Sequence, residues 1–441
     1  MSRWSRRSFL KTSTAAALSA VVGRPVRGVE SPPRPKVAVL FTEFTYRSHA
    51  HVILENFLEP YLFNGRKTES SVEVVALYGD QFPDSDMGRK VAERYGIPIY
   101  DTIAGALTRG TGKLAVEGVA SIAEQGNYPR NELGQQLYPR KRFFDESVAV
   151  MRDAGRVVPF FNDKHLSYRW DWAREMYDTA RNLKMPFMAG SSVPLATRRP
   201  AFELPAGSEL EQALAVHGGP LESYDFHGIE LLQSIVEARK GGETGIRAVE
   251  FLEGAALERE LTEGGWRPLA QAAMAAELGQ APADLNSVPG EEADAPHALR
   301  LHYRDGLRGL VLRVGKSATR WNIAVKPKGG GAVGATHFYV GPWNNRNLFK
   351  ALSHAIQSHL KTGVPPYPVE RTLLASGTLE AVLKARQAGQ PRETPELAVA
   401  YQPVDYRRFR ELGDTWKIIT PDTPQPPDID LFGRNYQPPA R

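Results

Sequence analysis

The sequence predicts an α/β protein: a doubly wound parallel sheet in its first half, then an α+β domain on a mixed or antiparallel sheet. Three observations carry this. The chain has 441 residues, more than one hydrophobic core ordinarily serves. Short apolar runs alternate with segments of helical spacing as far as about residue 195. Beyond that point alternating strands follow one another, joined by glycine-rich turns.

In order, a Pro-rich spacer at 31–35 precedes the apolar run 36–40, a short buried strand, and 48–58 has helical spacing. A second strand at 72–78 ends in Gly79-Asp80, and a helix over 86–95 leads to a short strand at 97–100 and a further helix through Leu107. A strand ending at Glu124, a helix over 143–154 and a strand through "VVPFF" complete the alternation. This pattern predicts a Rossmann-like sheet over 36–195 whose ligands gather at the carboxyl ends of its strands. Strands at 247–252, 298–303, 309–314, 321–325 and 335–339, with helices at 228–239, 347–361 and 378–387, predict the second domain over 196–401. A Pro-rich tail at 402–441 has little periodicity and is expected to wrap the surface.

Residues 1–30 read as a twin-arginine signal peptide: Ser5-Arg6-Arg7-Ser8-Phe9-Leu10-Lys11 precedes an Ala/Val/Leu run too short for a stable membrane span. The expected location is periplasmic or otherwise exported, with the twin-arginine translocation machinery as a partner. Export also explains the charge. The formal net charge is +5, and residues 1–29 hold six basic and no acidic residues, so the mature chain is near −1. A near-neutral chain with no Lys/Arg run gives no footing for nucleic acid. Zero cysteines exclude a disulfide framework, a thiolate nucleophile and a thiolate metal site. Twin-arginine export carries folded proteins, often with a cofactor already loaded.

The residues that can carry chemistry fall at predicted strand ends. Glu124, Asn127 and Tyr128 lie in a polar loop followed by Arg140 and Arg142, a carbohydrate or carboxylate pocket with an arginine anion clamp. Asp163, Lys164 and His165 end a strand, with Tyr168 close behind. His227 and Glu230, three apart on a helix, share one face; with His165, Asp163 or Glu222 they make an alternative divalent-metal set. His337 closes the pocket from the second domain.

Four stretches, in order, resemble the Gfo/Idh/MocA family of glucose-fructose oxidoreductases and inositol dehydrogenases: "KVAERYGIPIYDTIAGAL", "AGRVVPFFNDKHL", "GGPLESYDFHGIELLQSI" and "LFKALSHAIQSHLKTGVPPYPVERTLLASGTLEAVLKA". The resemblance implies an oxidoreductase acting on a sugar, polyol or derivative between two domains, with NAD or NADP, and a homo-oligomer built through the second domain's sheet. It places the family's catalytic lysine on Lys164, the preceding acid on Asp163 and the histidine on His227. Lys164 and His227 would be the acid/base pair, Asp163 and Glu230 their orienters; the family's aspartate four before the histidine meets Ser223, flanked by Glu222 and Asp225.

One departure is large. Where the family has Gly-x-Gly-x-x-Gly this chain has Phe41-Thr42-Glu43-Phe44-Thr45-Tyr46, which leaves Thr42 and Asp80 to meet a nucleotide. Two alternatives follow. One is a non-redox carbohydrate lyase or hydrolase on the same scaffold, with or without a divalent metal. The other is a sugar-binding protein without catalysis.

Overall fold

The computed structural model describes residues 33–283, 285 and 296–429. The predicted signal peptide and the end of the Pro-rich tail lie outside the described residues. The first half runs β1 (Lys36–Phe41), α1 (His49–Leu58), a hairpin of β2 (Tyr61–Phe63) and β3 (Arg66–Thr68), β4 (Glu73–Gly79), α2 (Gly88–Tyr95), β5 (Ile99–Tyr100), α3 (Ile103–Thr108), β6 (Gly118–Ile122), α4 (Arg140–Asp153), β7 (Phe160–Asp163), α5 (Trp170–Asn182) and β8 (Phe187–Gly190). Six of these strands form one parallel sheet in the order β5-β4-β1-β6-β7-β8. Successive strands move outward in one direction from β1 and then in the other, so the switch falls between β1 and β6. A doubly wound sheet opens its crevice there.

Local sequence explains these elements. β1 and β6 are buried along almost their whole length, as parallel strands covered on both faces must be. Ser48 caps α1 by accepting from the His51 amide, and Gly96, left-handed at φ 64°, ends α2. On one side α1 packs against a helix from much later in the chain, α9 below; α3, α4 and α5 pack in series on the other.

The second half runs β9 (Thr197–Arg199), β10 (Leu210–Gly218), α6 (Ser223–Val236), β11 (Ile246–Glu253), α7 (Gly254–Glu263), α8 (Arg267–Leu278), β12 (His297–Tyr303), β13 (Arg308–Arg313), β14 (Ser317–Pro327), β15 (Gly334–Tyr339), α9 (Asn345–Thr362), α10 (Glu370–Ala388) and β16 (Arg392–Glu393). Its eight strands are ordered β16-β11-β12-β13-β10-β14-β15-β9, antiparallel except for β10 beside β13. This is the mixed sheet the sequence predicts. Its central strand, β10, together with α7 and α8, is not among the predicted elements.

Alternation along β10 divides the two faces. Ala213 and Ala215 turn toward the core that holds α6, and their small side chains let that helix lie close. Leu214 and Val216 turn the other way, into a second core with Trp266, Leu269, Ala273 and Met274 of the α7–α8 region. The chain's own helices therefore cover the sheet face through which the resemblance implies oligomerisation. The described part of the tail is pinned as well as superficial: Glu411 accepts from the Asn64 amide, Arg346 Nη2 donates to the Asp428 carbonyl at 2.5 Å, and Phe409, Thr415 and Ile419 are buried. Among the described residues no helix is long and apolar enough to cross a membrane.

Candidate functional site

A cavity of about 360 Å³ lies at the carboxyl ends of β6, β7 and β8, walled by α1, α9, the start of α6 and β14. Glu124 and Lys164 line it from the parallel sheet, Glu222 and His227 from α6, and His49 from the first residue of α1. The sequence brings the first four together; His49 is new.

Lys164 follows β7 and stands at φ 60°, a left-handed conformation that costs a non-glycine residue on the order of 1–3 kcal/mol. Its amide donates to the Gly190 carbonyl, and its Nζ donates to Glu124 Oε1 at 2.6 Å. Arg140, at the start of α4, donates to the other Glu124 oxygen and, at 2.8 Å, to His165 Nε2. Glu124 is buried, which by itself raises a carboxyl pKa, but Lys164 and Arg140 outweigh burial and hold it far below the usual range. His165 accepts from arginine, so its ring is neutral; burial and then Arg140 push its pKa well down. It lies beneath the wall.

His227 is presented by a relay the sequence did not reveal. Ser191, just after β8, donates its hydroxyl to Glu230 Oε2 at 2.5 Å and its amide to the same oxygen at 2.9 Å. Having given up its proton, Ser191 Oγ accepts from His227 Nδ1 at 3.0 Å. The Nδ1–H tautomer is thereby fixed and Nε2 keeps a lone pair on the cavity side. Burial, then Lys164 and His49, drive the His227 pKa well below that of a free imidazole, so the ring is a neutral base. Burial raises the pKa of Glu230. Gly190, at φ 129°, makes the approach possible: a Cβ there would stand 2.4 Å from Glu230 Oε1.

Glu222 closes the wall from the N-cap of α6, at φ 72° and ψ −68°. Its amide donates to Asp225 Oδ2, while Asp225 Oδ1 accepts from His217 Nε2 at 3.1 Å and His297 Nε2 at 2.9 Å. The strained cap is thus held from behind. Burial, reinforced by Glu124, pushes the Glu222 carboxyl up to about 7. Tyr224 stacks on Trp321 at 4.8 Å, and the Trp321 indole N–H and the Ser192 hydroxyl, both in the wall, have no partner among the described residues.

The other candidates lie elsewhere. Asn127 is exposed, with its backbone bonded to Gln81. Tyr128 donates to Asp80 Oδ2 at 2.5 Å and Arg142 to Asp80 Oδ1 at 2.5 Å, both outside the cavity lining. Arg140 is committed to Glu124 and His165, and Arg142, two residues along α4 and facing the opposite way, to Asp80, so neither is left as an anion clamp. Tyr168 packs on Trp172, and His337 bonds to Asn322 within the second sheet. The metal alternative of His227, Glu230 and His165 does not assemble. Among the described residues the ligand atoms that converge are those of His217, Asp225 and His297, already joined by hydrogen bonds.

The loops after β1 and β4, which would hold a dinucleotide beside the crevice at the switch between β1 and β6, have been rebuilt. Phe41 and Phe44 are wholly buried, edge to face at 5.7 Å, with Phe82 6.3 Å from Phe41. Backbone bonds from Asp80 to Phe41, Gln81 to Thr42 and Met87 to Phe44 zip the two loops together. The amides that open α1, which would face a pyrophosphate, have internal partners: His49 donates to Gln125 Oε1 at 3.0 Å and His51 to Ser48 Oγ at 3.3 Å. Thr42 donates its hydroxyl to the Glu124 carbonyl. Asp80, expected to meet a ribose, accepts from Tyr78, Tyr128 and Arg142. These residues do not fit a nicotinamide dinucleotide held in the fold's crevice.

The fold, a parallel Rossmann-like sheet followed by a mixed sheet, is similar to that of solved dehydrogenases. Among solved structures, GenD2 from gentamicin A biosynthesis, in complex with NAD, matches with a TM-score of 0.53 at 14% identity, over 84% of this chain and 99% of that one. A myo-inositol dehydrogenase from Corynebacterium glutamicum matches at 0.48 and 11% identity, over 82% and 99%; a probable dehydrogenase from Thermotoga maritima matches at 0.47 and 10%, over 82% and 99%. No family model and no curated protein matches the sequence.

Proposed function

We propose that this protein is a nicotinamide-independent proton-transfer enzyme, a lyase acting on a sugar or polyol derivative in the cavity between the parallel sheet and α6. One observation carries the reading. The acid–base equipment of the cavity is assembled and oriented, while the crevice that would supply a hydride acceptor is filled by Phe41, Phe44 and Phe82. His227 Nε2 takes a proton from a carbon next to a carbonyl or carboxylate. Lys164, held by Glu124, offers its ammonium to the oxygen on which negative charge then develops. The Tyr224–Trp321 platform and the free Trp321 N–H suit a ring bearing hydroxyls.

Export belongs to the same reading. The twin-arginine leader would deliver the folded chain to the periplasm, where carbohydrate derivatives are its substrates. Since α7 and α8 cover the outer face of the mixed sheet, a homo-oligomer would use another surface, which light scattering on a variant of that surface checks.

The test is native mass spectrometry and metal analysis on protein exported by its own leader, followed by incubation with a panel of hexuronic acids, their glycosides and neutral polyols. Protein without a bound nicotinamide, forming an unsaturated product from an acidic sugar, supports the reading. A bound mass of NAD or NADP would overturn it and restore the dehydrogenase reading that the scaffold suggests.

A further inference from the structure

His49 has the same presentation as His227, from the opposite side of the cavity. It is the first residue of α1, and its Nδ1 donates to Asp163 Oδ2 at 2.6 Å, a carboxylate with no exposure at the end of β7. The edge of its ring is set against Phe349 of α9 at 4.5 Å. With Nδ1 committed to Asp163, the nitrogen left to the cavity is Nε2. His227 is fixed in the same sense, through Ser191 to Glu230. The two imidazoles are close enough for His49 to contribute to the electrostatics of His227, and both line one space with Lys164. Their carboxylates lie on either side of one strand pair: Asp163 pairs with Gly190 of β8, and a Cβ on Gly190 would stand 2.4 Å from Glu230 Oε1 and 3.1 Å from the Tyr367 hydroxyl.

A buried carboxylate on Nδ1 stabilises an imidazolium and so suits a proton donor. A neutral ring held through a serine suits an acceptor. We propose that His49 is the second acid–base residue of this site, delivering a proton to the leaving oxygen while His227 removes one from the neighbouring carbon. The proposal rests on the lyase reading above.

The step balances without an oxidant. The C–H bond breaks and its proton goes to His227 Nε2. Its electron pair is held first as an enolate whose oxygen faces the Lys164 ammonium; it then forms the carbon–carbon double bond as the C–O bond on the adjacent carbon breaks, and the leaving oxygen takes that bond's pair together with the proton from His49 Nε2. His227 ends protonated and His49 neutral, and exchange with solvent restores both.

Removing the donor and removing the acceptor have different signatures. Hexuronic acids glycosylated on O4, the oxygen on the carbon next to the one that loses its hydrogen, are incubated with wild type, His49→Gln and His227→Gln in D2O, following carbon-bound hydrogen by NMR and unsaturated product by ultraviolet absorbance. For His49→Gln the expected result is retained hydrogen exchange with product formation down about 10²-fold or more. A substrate whose leaving group is nitrophenolate, which needs no proton, should bring the variant back to within a few-fold of wild type. His227→Gln should lose exchange and product on both substrates. Retained exchange also shows that the His49 variant folds.

If His49→Gln loses exchange and product together, or neither, or is not rescued by the better leaving group, the proposal is overturned and the lyase reading stands. If wild type eliminates none of the glycosides, the reading falls and the proposal with it.

Discussion

Two places at the same end of one parallel sheet have had opposite fates. At the ends of β1 and β4, where this scaffold places a dinucleotide, aromatic rings fill the volume and backbone amides find partners within the chain. At the ends of β6 and β7 and the facing start of α6, some of the least comfortable chemistry in the molecule is kept open: a left-handed lysine, a carboxylate between two cations, and a glutamate pushed up to about 7. Folding favours the first arrangement and disfavours the second. Strain and unpaired polar groups retained beside a cavity, next to a crevice filled by aromatic rings, support the reading that places the function in the cavity.

The largest expected effect sharpens that contrast. Lys164→Ala and His227→Gln should each reduce turnover by about 10²–10⁴-fold. Neither is expected to lower the melting temperature appreciably, since Glu124 keeps Arg140 when Lys164 is lost. A variant that loses activity only by unfolding would make its residue a structural one.

The crevice should behave in the reverse way. Phe41→Ala removes a ring packed between Phe44 and Phe82 and should cost about 3–5 kcal/mol of stability, read from denaturant unfolding. Phe41→Gly with Glu43→Gly should gain no nicotinamide affinity in a titration, because the α1 amides stay capped by Ser48 and Gln125. Micromolar binding by that double variant would show a site that is plugged and otherwise intact.

The contrast was half legible in the sequence. The loss of three glycines was visible at once, and Lys164, His227, Glu124 and Glu230 sit on helix and strand ends that periodicity predicts. What replaced the glycines was not visible, because Phe82 and Gln125 come from other loops and meet the first only in the folded sheet. His49 falls inside the predicted helix over 48–58 with nothing in its neighbours to single it out; its partner Asp163 is 114 residues away. Ser191 had a usable signal, two small polar residues directly after a buried strand at the carboxyl edge. Asn127, Tyr128 and Arg142 were drawn in by proximity to Glu124 and Arg140 along the chain, although one or two residues suffice to turn a side chain away. β10 was hidden because its inward positions are alanines, which weaken the alternation that marks a strand.

A pH experiment separates the two regions at intermediate size. The folded pKa of Glu222, about 7, lies above its ordinary value of 4.5, so the folded state favours the protonated form. Its contribution to stability is fully present below about pH 4.5 and is lost as pH rises to about 7, an upper bound of roughly 3 kcal/mol. Ionisation there also adds negative charge where the transition state builds more of it, so turnover should fall above about pH 7. Glu222→Gln should flatten both curves, and unchanged curves would mean that the carboxyl titrates outside this window.

The smallest effect is expected at Asp80, the residue that most directly tests whether any nucleotide function persists. Its carboxylate accepts from two tyrosines and Arg142, and it lies at the half-exposed rim of the crevice. Desolvation raises its pKa, but the hydrogen bonds from Tyr128 and Tyr78 outweigh that and hold it below the usual range. Asp80→Asn keeps the size and one acceptor while weakening the charge-assisted bonds, so the loss should be about 1 kcal/mol, with Arg142 solvated in compensation. Turnover and substrate affinity should not move, because Asp80 does not line the cavity. A ribose-binding aspartate would give the opposite pattern, leaving stability alone and changing the preference between NAD and NADP. Stability measured by urea titration beside a nicotinamide binding assay therefore assigns Asp80 either to a closed aromatic rim or to a working nucleotide site.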